Sequence, residues 1–195
     1  GIDSVEEAQV AALVRGWNPD FIITTGDNNY GSGAASTIDE NVGRLLARLD
    51  ELNLTENTIL IFMTDNGSAA GFNPKTGDGF NAEMRGTKGS AYDGGHRVPC
   101  FIRWPAKLRG GRDVDRLTAH IDLLPTLIEL AGLKKPDQVK FDGTSLVPLL
   151  AADRVNWPDR ILFVQSHRIE HPQPWRQSAV MTERWQLVRY LYALA

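Results

Sequence analysis

Phe21-Ile22-Ile23-Thr24-Thr25-Gly26-Asp27-Asn28 and Ile59-Leu60-Ile61-Phe62-Met63-Thr64-Asp65-Asn66-Gly67 carry the same pattern twice. In each, a short, β-branched, apolar run ends in an Asp-Asn pair. Such runs predict strands buried on both faces of a parallel sheet. Each strand delivers a carboxylate and an amide to its C-terminal edge, where open α/β sheets bind ligands. Two such ends side by side offer several hard oxygens to a divalent cation.

Between the two runs, Thr37-Ile38-Asp39-Glu40 fits a capping box. Ile38, Val42, Leu45, Leu46, Leu49 and Leu52 follow with the spacing of one apolar helix face. Strand, helix, strand makes a βαβ unit with parallel strands and a right-handed crossover. Upstream, Val5 to Arg15 reads as a helix closed by Gly16. Downstream, a polar, glycine-rich stretch from about Gly67 to Gly95 has little periodicity. A loop that long in a compact domain is usually functional.

Arg97 to Trp104 then predicts a strand, and Thr118 to Leu130 a helix with Gly132 as its stop. Asp142 to Leu150 reads as a turn and a short helical piece. Ile161–Gln165, Ser178–Met181 and Gln186–Leu191 have the character of edge strands. The expected fold class is α/β: a mostly parallel sheet flanked by helices, in a single domain over residues 1–195.

The bulk properties narrow the function. A chain of 195 residues suits about one domain, and a net charge of −3 gives no electrostatic case for nucleic acid or an anionic membrane. No apolar run approaches the roughly 20 residues of a membrane helix, and no signal-peptide pattern is visible. The expectation is a soluble protein. Its one cysteine, Cys100, excludes an intramolecular disulfide framework. Its setting, Val98-Pro99-Cys100-Phe101-Ile102, predicts a buried structural thiol.

Asp65 and Asn66 are the leading metal ligands, with Asp27 as a third. A plain turn is the alternative, because Asp-Asn-Gly is a common turn sequence. Oxygen ligands suit Mn²⁺, Mg²⁺ or Ca²⁺ better than Zn²⁺. Lys88 lies among glycines whose amides can approach an anion, and Asn28 is a second substrate-binding candidate. His96, behind two glycines, reads as a ligand or general acid, or else as structural. His120 reads as a ligand or base, or as helix packing. His167 and His171 read as surface residues, or as a ligand pair if their segment is helical.

Thr64-Asp65-Asn66-Gly67 resembles the second metal-binding segment of sulfatases. Lys88-Gly89-Ser90-Ala91-Tyr92-Asp93-Gly94-Gly95-His96-Arg97-Val98-Pro99 is similar to their segment whose lysine contacts the sulfate and leaving group. His120-Ile121-Asp122-Leu123-Leu124-Pro125-Thr126-Leu127 and Asp142-Gly143-Thr144-Ser145-Leu146 are further landmarks. From about Asp39 to Arg189 the chain thus resembles the C-terminal half of the sulfatase catalytic domain, in the alkaline-phosphatase-like superfamily. Residues 190–195 diverge. The Cys/Ser-x-Pro-x-Arg segment that becomes formylglycine in sulfatases does not occur in the sequence.

Residues 1–38 resemble something different. Asn18-Pro19-Asp20-Phe21-Ile22-Ile23-Thr24-Thr25-Gly26-Asp27-Asn28-Asn29-Tyr30 is similar to an early segment of calcineurin-like metallophosphoesterases, where the Gly-Asp pair supplies a metal-bridging aspartate. The resemblance implies that Asp27 is such a ligand and that the chain is a chimera. It also implies a metal-dependent hydrolase of phosphate esters, diesters first, using metal-activated water. The alternatives are a non-catalytic remnant that binds metal or anion, and a weak sulfate-ester hydrolase. Expected partners are a small phosphate or sulfate ester and a second copy of the chain, since half a domain exposes apolar surface.

Overall fold

The computed structural model describes residues 21–24, 35–69, 75, 81–152, 155–167, 169–171 and 173–189. The expected helix over Val5–Arg15, and the candidates Asp27 and Asn28, lie outside them. The chain forms two compact units: Gly1–Phe62 with Cys100–Gly110, and Met63–Pro99 with Gly111–Ala195.

In the first unit, β1 (Phe21–Thr24) and β2 (Ile59–Met63) are parallel neighbours, with Phe21 opposite Ile59 and Thr24 opposite Phe62. The twin apolar runs therefore do lie side by side, as the βαβ reading requires. The intervening helix α1 (Ala35–Glu51) starts two residues before the expected cap Thr37. Leu49 on it is buried, and Val42, Leu45 and Leu46 are half-buried. Ile59, Leu60 and Ile61 form the rest of the core with Trp104, whose indole N–H donates to the Glu56 carbonyl at 3.0 Å.

The strand after the long loop is shorter than the sequence predicts. β3 covers Cys100–Arg103, and the sheet order is β1-β2-β3. β3 is thus an edge strand, which corrects the reading of Cys100. The residue is exposed, and Phe101 beside it is 64% exposed. Apolar composition alone does not distinguish an edge strand from a central one. Partial desolvation of the thiol still pushes its pKa up.

The second unit holds α2 (Asp93–His96), a 3₁₀ turn (His120–Asp122), α3 (Leu123–Leu130) and α4 (Val147–Ala151). The helix expected from Thr118 is thus a 3₁₀ turn leading into α3. β4 (Leu162–Gln165), β5 (Ser178–Met181) and β6 (Gln186–Arg189) make a separate antiparallel sheet in the order β4-β5-β6. They do not extend the parallel sheet. The short turn between Met181 and Gln186 makes β5 and β6 antiparallel, because strands joined by a hairpin must run antiparallel. At the β5–β6 turn the Thr182 hydroxyl accepts from the Trp185 N–H at 3.0 Å.

Two of the landmark segments turn out to be one structural unit. Asp122 is fully buried and accepts hydrogen bonds from the Ala119 N–H (2.8 Å), the Thr144 N–H (2.8 Å) and the Arg160 guanidinium (2.7 Å). The buried Thr126 hydroxyl donates to the Asp122 carbonyl and accepts from the Leu146 N–H. Gly143 is required at the crossing, since a Cβ there would lie 2.0 Å from the Ile121 carbonyl oxygen.

Candidate active site

Strand β2 ends where the candidate ligands begin. Thr64 donates its hydroxyl to the Asn66 carbonyl at 3.1 Å, closing the turn that carries Asp65 and Asn66. The turn packs against the glycine-rich segment at backbone level. The Gly67 N–H donates to the Gly95 carbonyl at 3.0 Å, and the Lys88 N–H donates to the Ser68 carbonyl at 2.9 Å. A Cβ on Gly67 would sit 1.9 Å from the Gly94 carbonyl oxygen. The glycines therefore do more than leave amides open to an anion: they let two backbones touch, and that contact fixes Lys88 beside the Asp65–Asn66 turn.

Asp65 is exposed. Asn66 is half-buried, and its Oδ1 is shielded from solvent with no hydrogen-bond partner. A buried amide oxygen without a donor is costly. A hard cation would satisfy it, so Asp65 and Asn66 fit as two ligands of an oxygen set for Mg²⁺, Ca²⁺ or Mn²⁺. Among the described residues no group of three or more His, Cys, Asp or Glu gathers as a complete cage.

Lys88 is exposed and lines a cavity of about 400 Å³ together with Ala69, Gly89, Ser166 and Gln177. The last two come from the end of β4 and the start of β5, where the Ser166 N–H donates to the Gln177 carbonyl at 3.0 Å. Sequence reasoning did not single out either residue, and only the pairing of distant strands brings them to Lys88.

His96 is half-buried. Its Nε2 lies 3.1 Å from Gln186 Nε2, from β6, and 3.8 Å from Asp93 Oδ1. Burial pushes its pKa down, against the opposing pull of Asp93 and the Ala91 backbone. His120 is exposed at the start of its 3₁₀ turn, where the neighbouring Asp122 serves the buried network described above. Residues 167 and 169–171 are not helical, so the i, i+4 ligand pairing of His167 and His171 does not form. His167 Nε2 instead bonds the Arg176 carbonyl.

Comparison with known proteins places the chain in a family. The family model described as Sulfatase matches residues 12–133, and that of N-sulphoglucosamine sulphohydrolase, C-terminal, matches residues 87–195. The first match begins inside the segment that resembles metallophosphoesterases. Mouse steryl-sulfatase is 39% identical over 137 residues, covering 69% of this chain and 22% of that protein. Dog N-acetylgalactosamine-6-sulfatase is 34% identical over 143 residues, 73% of this chain and 27% of that protein. The chain thus spans about a quarter of the length of the curated relatives it matches. Among solved structures, Ps i-CgsB in complex with k-i-k-neocarrahexaose aligns with a TM-score of 0.64 and 28% identity, covering 78% of this chain and 32% of that one. PsFucS1 sulfatase from Pseudoalteromonas sp. aligns with a TM-score of 0.56 and 30% identity, covering 67% and 26%.

Proposed function

Because the chain belongs to the sulfatase family, we propose that it carries the second metal segment and the leaving-group lysine of a sulfate-ester hydrolase site. The observation that supports this most directly is the tie between the Asp65–Asn66 turn and Lys88, made by the Lys88–Ser68 and Gly67–Gly95 hydrogen bonds around the unpartnered Asn66 Oδ1. Asp65 and Asn66 would hold a divalent cation, and that cation would supply polarisation of the ester and neutralisation of charge on the oxyanion. Lys88 presents its ammonium to the leaving oxygen and stabilises the charge that develops there. With its pKa lowered, His96 is neutral at neutral pH, which suits an accepting or positioning role over that of a general acid. Phosphate diesters were the first expectation from the twin strand ends. The relatives support sulfate esters instead, the alternative in that expectation.

The test compares 4-nitrophenyl sulfate with bis(4-nitrophenyl) phosphate, with added Ca²⁺, Mg²⁺ or Mn²⁺ and with chelator. Expected are preference for the sulfate ester, loss of turnover with chelator, and a fall of about 10²-fold in Lys88→Ala. Equal turnover by Asp65→Ala, or preference for the phosphodiester, overturns the proposal. A homodimer belongs to the same reading, supported by an uncovered apolar row on the antiparallel sheet. Phe163 stands opposite Val180 and Val180 opposite Leu187, and Phe163 and Leu187 are 73% and 74% exposed.

A further inference from the structure

We propose that Asn66 is a site of spontaneous modification: its amide is lost to attack by the Gly67 backbone nitrogen, and the docked fold of the Lys88 segment holds that reaction back. Asn66-Gly67 is the one Asn-Gly pair in the sequence. Asparagine is a thermolabile side chain. A glycine after it leaves the neighbouring nitrogen unscreened, because glycine has no Cβ. A larger residue at 67 would slow the reaction, but its Cβ would lie 1.9 Å from the Gly94 carbonyl oxygen. Close packing thus keeps the susceptible dipeptide in place.

The step needs no co-reactant other than water. The Gly67 nitrogen gives its proton to water and bonds to Asn66 Cγ, closing a succinimide ring. The Cγ–Nδ2 bond breaks, and the amide nitrogen leaves as ammonia with a proton from water. A water molecule then opens the ring at either carbonyl. One opening leaves aspartate, and the other leaves isoaspartate with an extra carbon in the main chain.

The native structure restrains this reaction at both ends of one peptide group. The nitrogen that must attack is the one whose N–H donates to the Gly95 carbonyl at 3.0 Å. The carbonyl of the same peptide, that of Asn66, accepts from the Thr64 hydroxyl at 3.1 Å. The group neither loses its proton nor swings toward the side chain until the turn opens locally. Amide hydrogen exchange at Gly67 needs the same opening, so the two reactions share their first step. Once isoaspartate has formed, the effect reverses. The main chain is longer at a contact with no spare room, where Gly67 meets Gly94 and Gly95 at backbone level. The Gly67–Gly95 and Lys88–Ser68 hydrogen bonds then separate, and the modified chain no longer holds Lys88 beside the turn.

The test ages the 195-residue chain at neutral pH, folded and in urea. The product is located by peptide mass and fragmentation, and isoaspartate by methyltransferase labelling. Conversion at Asn66 is expected to be about 10-fold slower in the folded chain, the weight of one backbone hydrogen bond. Thr64→Val removes the second restraint and should raise the folded rate about 3-fold. In wild type, conversion and Gly67 amide exchange should rise together as urea is added below the unfolding transition. That comparison decides the matter where Thr64→Val fails to fold. In the isoaspartate-bearing fraction the Lys88 amide should exchange about 10-fold faster. Three results overturn the proposal: no product at Asn66 in urea, equal rates folded and unfolded, or unchanged Lys88 protection in the modified fraction. None of these readouts uses ester turnover, so their failure is distinct from failure of the sulfate-ester reading.

Discussion

Removing the Arg160 guanidinium strands the Asp122 carboxylate inside the second unit. Asp122 is fully buried and the Arg160 side chain is only 11% exposed, so water cannot replace the lost partner. Arg160→Ala is expected to cost about 3–5 kcal/mol, read as a lower urea midpoint. His96 supplies a pH signature. Its folded pKa lies below the ordinary value of 6.5. The unfolded chain therefore binds a proton first as pH falls. Stability is fully present above about pH 6.5 and declines below it. The wild-type denaturation midpoint should drop between pH 7.5 and pH 5 more steeply than that of His96→Gln. At this scale the Asp65–Asn66 turn and the backbone contact that brings Lys88 beside it follow from local motifs contiguous in sequence, while the roles of the three residues stay proposals. The Asp122 network was not legible in the sequence, since Thr144 and Arg160 lie 22 and 38 residues away. Cys100 misled because exposure is set by strand order, which no single strand encodes.

Among the elements, glycines separate those held by propensity from those held by close approach. Gly43 lies within α1, and a Cβ there meets nothing within 4 Å. Gly43→Ala should stabilise by about 0.5–1 kcal/mol. Gly67→Ala should do the reverse, because its Cβ collides with the Gly94 carbonyl at the contact that carries Lys88. A loss of about 1–3 kcal/mol is expected, with weaker Ca²⁺ binding by calorimetry. Both glycines look alike in sequence. β1, β2 and α1 were readable from period and composition, as were the spans of the last three strands to within two residues. Their assembly into a second, antiparallel sheet was not, because pairing depends on connection geometry that alternation in one strand does not carry.

For the whole molecule, the proposed homodimer rests on the exposed row Phe163–Val180–Leu187. Exposed apolar rows of this kind are usually covered by a partner. Light scattering should give a mass above one chain, and Phe163→Thr with Leu187→Thr should return it to one chain. A wild-type mass equal to one chain removes the homodimer from the proposal. One domain over residues 1–195 was expected; within the chain lie two compact units, the first and the second each drawing on two separate stretches of chain. Hydrophobic periodicity reports where a segment is buried, and not which other segment buries it.

That interleaving governs how the protein is made. A chain emerging from the ribosome releases β1, α1 and β2 early, yet the edge strand that flanks them, β3, arrives only after the whole of Met63–Pro99. The first sheet must wait, partly paired, while material belonging elsewhere passes through. Closing such long excursions is slow. During that interval β2 offers an unpaired side rich in isoleucine and leucine to any other nascent strand. Synthesis speed and chaperone supply, rather than final stability, should set how much of this protein is recovered in native form.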